Sequence, residues 1–151
     1  MNKMVVLALI FALSGCAYTV PTSLKNNPNI VISDDGVNGQ PAFKSIVFIR
    51  PSSSSSYVEQ CLLKEAGGSV SLIREVYSVT GQSAYVSNSL RRSIPFQYSL
   101  SLRPEEGVYR FEKIRFNEDE VGGPLFASEA VDAEKAYAEM EAIVGRIQSC
   151  L

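Results

Sequence analysis

From Ser93 to Arg103 the sequence alternates without a break. Ile94, Phe96, Tyr98, Leu100 and Leu102 take one parity; Pro95, Gln97, Ser99, Ser101 and Arg103 take the other. Successive side chains of a strand point to opposite faces, so this segment buries one face and wets the other. That pattern belongs to antiparallel sheets, because parallel ones are covered on both sides. Pro95 has no amide donor and is expected at an edge or a strand start. Pro104-Glu105-Glu106-Gly107 then turns the chain into a return strand over 108–116. There Tyr109 and Phe111 face one way, Ile114 and Phe116 the other, and a bulge near Glu112 or Lys113 accounts for the slip.

The apolar face needs cover. From Ser128 to Ser149 the spacing predicts a long helix with Ser128 as N-cap. Phe126, Ala130, Ala133, Tyr137, Met140, Val144, Ile147 and Leu151 recur at four-three spacing, opposite Glu129, Asp132, Lys135, Glu139 and Arg146. That is an apolar stripe wide enough to lie on a sheet. Further upstream, Asn29–Ser33 reads as a short strand, and Ser45–Arg50 as a buried strand ended by Pro51. Ser56 and Glu59 form a Ser-x-x-Glu capping box, which predicts a helix from Tyr57 to Ala66 closed by Gly67-Gly68. Val58, Cys61 and Leu62 share its inner face. Ser69–Val79 is expected as a strand, Thr80-Gly81-Gln82 as a turn, and Ala84-Tyr85-Val86 as the returning strand.

These elements predict an α+β fold: an antiparallel sheet of about five strands packed on a long C-terminal helix, with a short helix after the first main strand. The element order resembles the helix-grip architecture, in which a curved sheet wraps a C-terminal helix.

The chain opens Met-Asn-Lys, runs apolar from Met4 to Leu13, and continues Ser14-Gly15-Cys16. A charged start, an apolar run and small residues make a secretory leader. The run of about ten residues is too short to cross a bilayer, which takes about 20. Leu13-Ser14-Gly15-Cys16 resembles the lipobox of bacterial lipoprotein precursors. That resemblance implies cleavage after Gly15, a diacylglycerol on the Cys16 thiol, and an acyl chain such as palmitate on the new amine. In enteric members of the family Asp after the cysteine retains the protein at the inner membrane. Ala17 therefore implies the outer membrane, periplasmic side. The other reading of these residues is a plain secretory leader with an incidental cysteine. The expected organisation is a leader over 1–15, a lipidated N-terminus and tether over 16–29, and one domain over 30–151.

With Cys16 lipidated, Cys61 and Cys150 remain, and an even pair in an oxidising compartment reads as one disulfide. Two free buried thiols are the alternative. There is no Cys-x-x-Cys redox pair.

Without Lys3 the processed chain has 13 basic against 16 acidic side chains. That balance gives no basis for nucleic-acid binding. The sequence has no His, the usual general base and commonest metal ligand. It also lacks a Gly-x-Ser-x-Gly elbow and a phosphate loop. Asp34-Asp35-Gly36 and Asn38-Gly39 lack calcium-loop spacing and read as turns. Asn117-Glu118-Asp119-Glu120 reads as a solvated loop. No catalysis, metal or cofactor is expected.

Two functions fit what is left. One is an accessory module docking onto envelope proteins of an assembly or transport system, as helix-grip lipoproteins of the outer-membrane barrel-assembly machinery do. The other is a binder of a small apolar ligand or lipid between sheet and helix, lined by Phe96, Tyr98, Leu100, Tyr137 and Met140. The other reading, which is preferred, is that these five residues simply pack against each other. Arg103, Arg110, Lys113 and Arg115 cluster on one hairpin. They suit phosphate or glycan contacts, or the solvated face of an edge.

Overall fold

The alternating segment becomes the spine of one antiparallel sheet. The computed structural model describes residues 18–34, 39–117 and 122–151. Six strands are present rather than about five: β1 (Ile30–Ser33), β2 (Ala42–Ile49), β3 (Val70–Ile73), β4 (Val76–Ser87), β5 (Arg92–Arg103) and β6 (Val108–Phe116). Their spatial order is β1-β2-β6-β5-β4-β3. Three helices, α1 (Thr22–Lys25), α2 (Val58–Ala66) and α3 (Ala133–Cys150), complete the α+β fold.

All five apolar residues of β5 are buried, and they meet inward residues of both neighbours: Leu100 lies opposite Val79 on β4 and Phe111 on β6. Pro95 lies inside β5, a central strand, rather than at an edge or strand start: it pairs with Ala84 on β4, and on the β6 side it stands one residue before the first pair, Phe96 with Phe116, with its carbonyl accepting from the Asn117 amide at 3.0 Å. Rings interlock beneath the sheet. Phe111 meets Tyr98 at 5.0 Å and Phe48 at 5.8 Å between centroids, and Phe48 meets Tyr137 of α3 at 5.1 Å. Ala136, Met140, Ile143, Val144 and Ile147 of α3 close this core from below. Its buried members all lie between Leu24 and Ile147.

Two bulges bend the sheet side by side. On β6, Glu112 to Arg115 spans one residue more than the facing Ser99 to Gln97, and Lys113 takes φ 50°. On β2 the register slips between Ser45, opposite Val31, and Phe43, opposite Ile32, leaving Lys44 as the extra residue. Ser45 pairs directly with Glu112, so the two irregularities are adjacent. A bulge reverses the facing of the residues beyond it. Phe43 and Ile114 therefore turn into the core while Lys44 stays in solvent.

Four local expectations are corrected. Ser69–Val79 is not one strand, because Arg74 and Glu75, at φ 48° and 66°, make a tight turn between β3 and β4. Such a turn needs positive φ at both central residues and normally carries Asn or Gly, so Arg-Glu gives no signal. Thr80-Gly81-Gln82 is not a turn but the middle of β4, paired with Ser99, Tyr98 and Gln97. The Ser56–Glu59 capping box does not form; α2 starts after Tyr57 with no side-chain cap, and the Ser55 hydroxyl instead accepts from the Tyr57 amide at 3.1 Å. The last helix starts at Ala133 rather than Ser128. A short 3-10 turn, Glu129–Val131, and a left-handed Asp132 precede it, and Ser128 is buried without capping.

Residues 19–29, read as tether, lie against the domain. Leu24 of α1 enters the core at 2% exposure, and Val20, partly buried, packs against the same core. The Glu129 amide donates to the Thr19 carbonyl at 2.8 Å, Asn27 Nδ2 donates to the Tyr137 hydroxyl at 3.3 Å, and Ser23 donates to Glu134. The segment is a strap across the start of α3.

Candidate functional site

Cys16 and the rest of the leader lie outside the described residues, as does most of the acidic stretch over 118–121 and the turn over 35–38. Cys61 and Cys150 are disulfide-bonded, with Cα atoms 5.7 Å apart. Each projects from a helix toward the other: Cys61 sits on the inner face of α2 with Val58 and Leu62, and Cys150 ends α3. Arg146, reaching both Glu65 of α2 (3.5 Å) and Glu139 of its own helix (3.3 Å), ties the same two helices.

Phe96, Tyr98, Leu100 and Met140 are each at most 1% exposed, and Tyr137 is half-buried. The structure brings them together, but as packed core: Phe96 and Tyr98 meet at 6.0 Å and Tyr98 fills the space left by the missing side chain of Gly81. The larger surface depressions are lined by other residues. Burial pushes the Tyr98 hydroxyl up to about 12, and among the described residues it has no hydrogen-bond partner. Tyr85 is shifted upward further, again by burial, with its hydroxyl donating to the Val131 carbonyl at 2.8 Å. Neither is placed to exchange a proton near neutrality. Among the described residues no group of three or more Asp, Glu or Cys side chains converges as metal ligands do.

Asp132 is held by a set of three donors from the β4–β5 turn. Its Oδ2 accepts from the Ser89 amide (2.9 Å) and the Ser87 hydroxyl (2.7 Å), and its Oδ1 from the Ser89 hydroxyl (3.2 Å). These bonds lower its pKa, the Ser89 amide most, and Lys135 assists. The arrangement pins the β4–β5 turn to the start of α3. It also explains the late helix start: a left-handed residue at 132 turns the carboxylate toward Ser87 and Ser89.

Because the folded pKa lies below the unfolded one, these bonds contribute fully above the ordinary Asp range. Their contribution is lost as pH falls through the folded value. Asp132→Asn tolerates the left-handed backbone, removes the charge and turns one of the two accepting oxygens into a donor, at a cost of about 1 kcal/mol at pH 7. Asp132→Ala adds the left-handed penalty, for a total of about 2–3 kcal/mol. Urea unfolding at pH 7 and near pH 3 checks both. The gap between wild type and Asn must shrink at the acid end.

The outer face of the sheet carries the remaining cluster. Along β6 the wet face presents Arg110, Glu112 and Arg115, with the bulged Lys113 beside them and Lys44 across on β2; all five are exposed. They surround a depression of about 680 Å³ whose lining also includes Val31, Ser45 and Pro124. Arg103 does not line this depression. It lies further along the hairpin, where a neighbouring depression brings it together with Arg110, Ser101 and Glu106, and it pairs with Glu106 at 3.7 Å. Sequence reasoning found Arg110, Lys113 and Arg115 but missed Lys44. Its signal was there: a lone cation interrupting Ala42-Phe43 and Ser45-Ile46-Val47-Phe48.

Comparisons with protein-family models, curated proteins and solved structures find no match.

Proposed function

We propose that this chain is a lipoprotein anchored in the bacterial outer membrane, facing the periplasm, and that it works without catalysis as an accessory module of an envelope assembly or transport system. The observation that carries the reading is Leu13-Ser14-Gly15-Cys16 at the end of a short apolar run behind Lys3. The Cys61–Cys150 bond supports it, since such a bridge persists in an oxidising compartment. The docking role draws support from the free side of the sheet. Among the described residues β3 pairs only with β4, and Leu72 and Ile73 on it are 56% and 68% exposed. Solvent-facing strand edges of this kind accept a partner's strand.

Labelling of growing cells with radioactive palmitate, together with the intact mass of the membrane-extracted protein, tests the anchor. The wild-type chain is expected to take up label, lose residues 1–15 and gain the mass of its acyl chains. Cys16→Ser is expected to take up none and to keep its leader. Equal processing and membrane attachment of the two proteins would defeat the reading.

A further inference from the structure

We propose that the cationic depression beside the paired bulges binds the phosphate group of an anionic membrane lipid. The placement of this site at the membrane rests on the lipid-anchor reading; the site itself does not.

Among the described residues four cations, Lys44, Arg110, Lys113 and Arg115, surround the depression against a single carboxylate, Glu112. None of the four forms an ion pair with a described residue. Elsewhere Arg50 is paired with Glu141, Arg103 with Glu106, and Arg146 with Glu65 and Glu139, while Arg74 and Arg91 stand singly with no ion pair to a described residue. Like charges gathered across neighbouring strands repel one another. The backbone also departs from regular geometry to gather them. Lys113 takes a left-handed conformation that costs a residue with a Cβ, and without the β2 slip Lys44 would share the inward parity of Ile46 and Phe48. Bulges that re-aim side chains in this way recur beside binding sites.

The chemistry fits a phosphate better than a lone carboxylate. A guanidinium presents a planar fork that matches phosphate oxygens, and a phosphate offers three acceptors to several donors at once. Ser45 adds a hydroxyl that is bonded to no described residue. Val31 and Pro124 make part of the lining apolar, which suits the carbon backbone that carries a lipid phosphate. The volume is that of a site for a small organic ligand, not of a bare ion.

The strap sets the distance to the membrane. Thr19 is bonded to Glu129, a few residues on from Pro124 at the rim. From Cys16 to Thr19 three residues reach at most about 10 Å. That is about one Debye length at physiological salt. A lipid on Cys16 would hold this end of the domain within the field of the headgroups.

The test uses the processed chain from residue 16, with Cys16→Ser so that no acyl chain contributes; the whole core lies within it. Its probes are phosphatidylcholine vesicles, alone or containing either phosphatidic acid or oleic acid at matched surface charge, read by co-sedimentation. Binding is expected to phosphatidic acid vesicles, with much less to the other two. Removing one contacting cation weakens such binding about fivefold, so K44Q/R110Q/R115Q is expected to weaken it about a hundredfold. E112Q is expected to tighten it several-fold, and K64Q/R74Q, away from the depression, to change it less than twofold. Inorganic phosphate at millimolar concentration is expected to compete.

Equal binding to the oleic acid vesicles would overturn the phosphate assignment. So would a triple variant that binds like wild type while melting at the same temperature. Saturable uptake of inorganic phosphate without vesicle binding would reassign the depression to free anions and overturn the lipid. Because the probe carries no acyl chain, failure here and failure of palmitate labelling are separate results.

Discussion

Replacing both Cys61 and Cys150 by Ala is expected to lower the stability of the domain by about 4–5 kcal/mol. The bridge joins residues 89 apart in sequence. Closing a loop of that size removes entropy from the unfolded chain, and the loss grows with the logarithm of loop length. For a domain of this size the change corresponds to a fall in melting temperature of about 15 °C. The unfolded chain without the bridge is more expanded, so the dependence on denaturant is expected to steepen as the midpoint drops. The effect is also local. Cys150 is the last residue of α3, and the bridge holds that terminus on α2. Amides over 146–150 are expected to exchange faster in the variant under native conditions. A double variant within 1 kcal/mol of wild type in guanidinium unfolding would show that the helices dock equally well without the bridge.

Gly81→Val is expected to cost about 3 kcal/mol, against the sign that local propensity gives. Within a strand, glycine is a weak residue and a β-branched one a strong residue, so the swap should stabilise by up to about 1 kcal/mol. In the folded protein, a Cβ at position 81 would stand 2.5 Å from the Tyr98 ring. Tyr98 is 1% exposed and is held by Phe96 on one side and Phe111 on the other. The ring has nowhere to move without displacing them. Overpacking of this kind costs about 1–3 kcal/mol, and expelling the ring costs about 3–5. Urea unfolding of the variant decides the sign. A stabilised Gly81→Val would mean that β4 and β5 can shift to make room. The hydroxyl of Tyr98 lies against the same glycine, so Gly81 is there for close approach and not for a turn.

That glycine shows where the sequence was readable. The alternation of β5, the slip in β6 and the stripe of α3 were legible because each follows from a repeat in the chain itself, period two or 3.6. Gly81 was misread as a turn because a glycine between Thr and Gln carries the same letters whether it frees the backbone or admits a ring. The turn at Arg74-Glu75 was invisible for the opposite reason: positive φ is imposed there on residues that do not favour it. Ser128 and Ser56 both look like N-caps, yet Asp132 and Tyr57 stand at the helix starts. In the first case three donors from the β4–β5 turn outweigh one local cap. The cluster on the wet face was half legible. Arg110 and Arg115 lie on one strand, whereas Lys44 comes from sixty-odd residues earlier and joins them only through strand pairing.

By itself, the chain's residue order determined that a half-wet antiparallel strand would need a helix to cover it, and that a stripe of period 3.6 near the C-terminal end would supply that helix. Both are properties of short-range pattern, and neither depends on what lies across the sheet. The tertiary structure alone decided the β2 bulge at Lys44, the strap over α3 and the left-handed Asp132. Each is set by the partner it meets: a neighbouring strand, a half-open core, three donors on a turn. Contacts between residues far apart in sequence leave no periodic trace in either segment, and these features come into being only when the chain closes on itself.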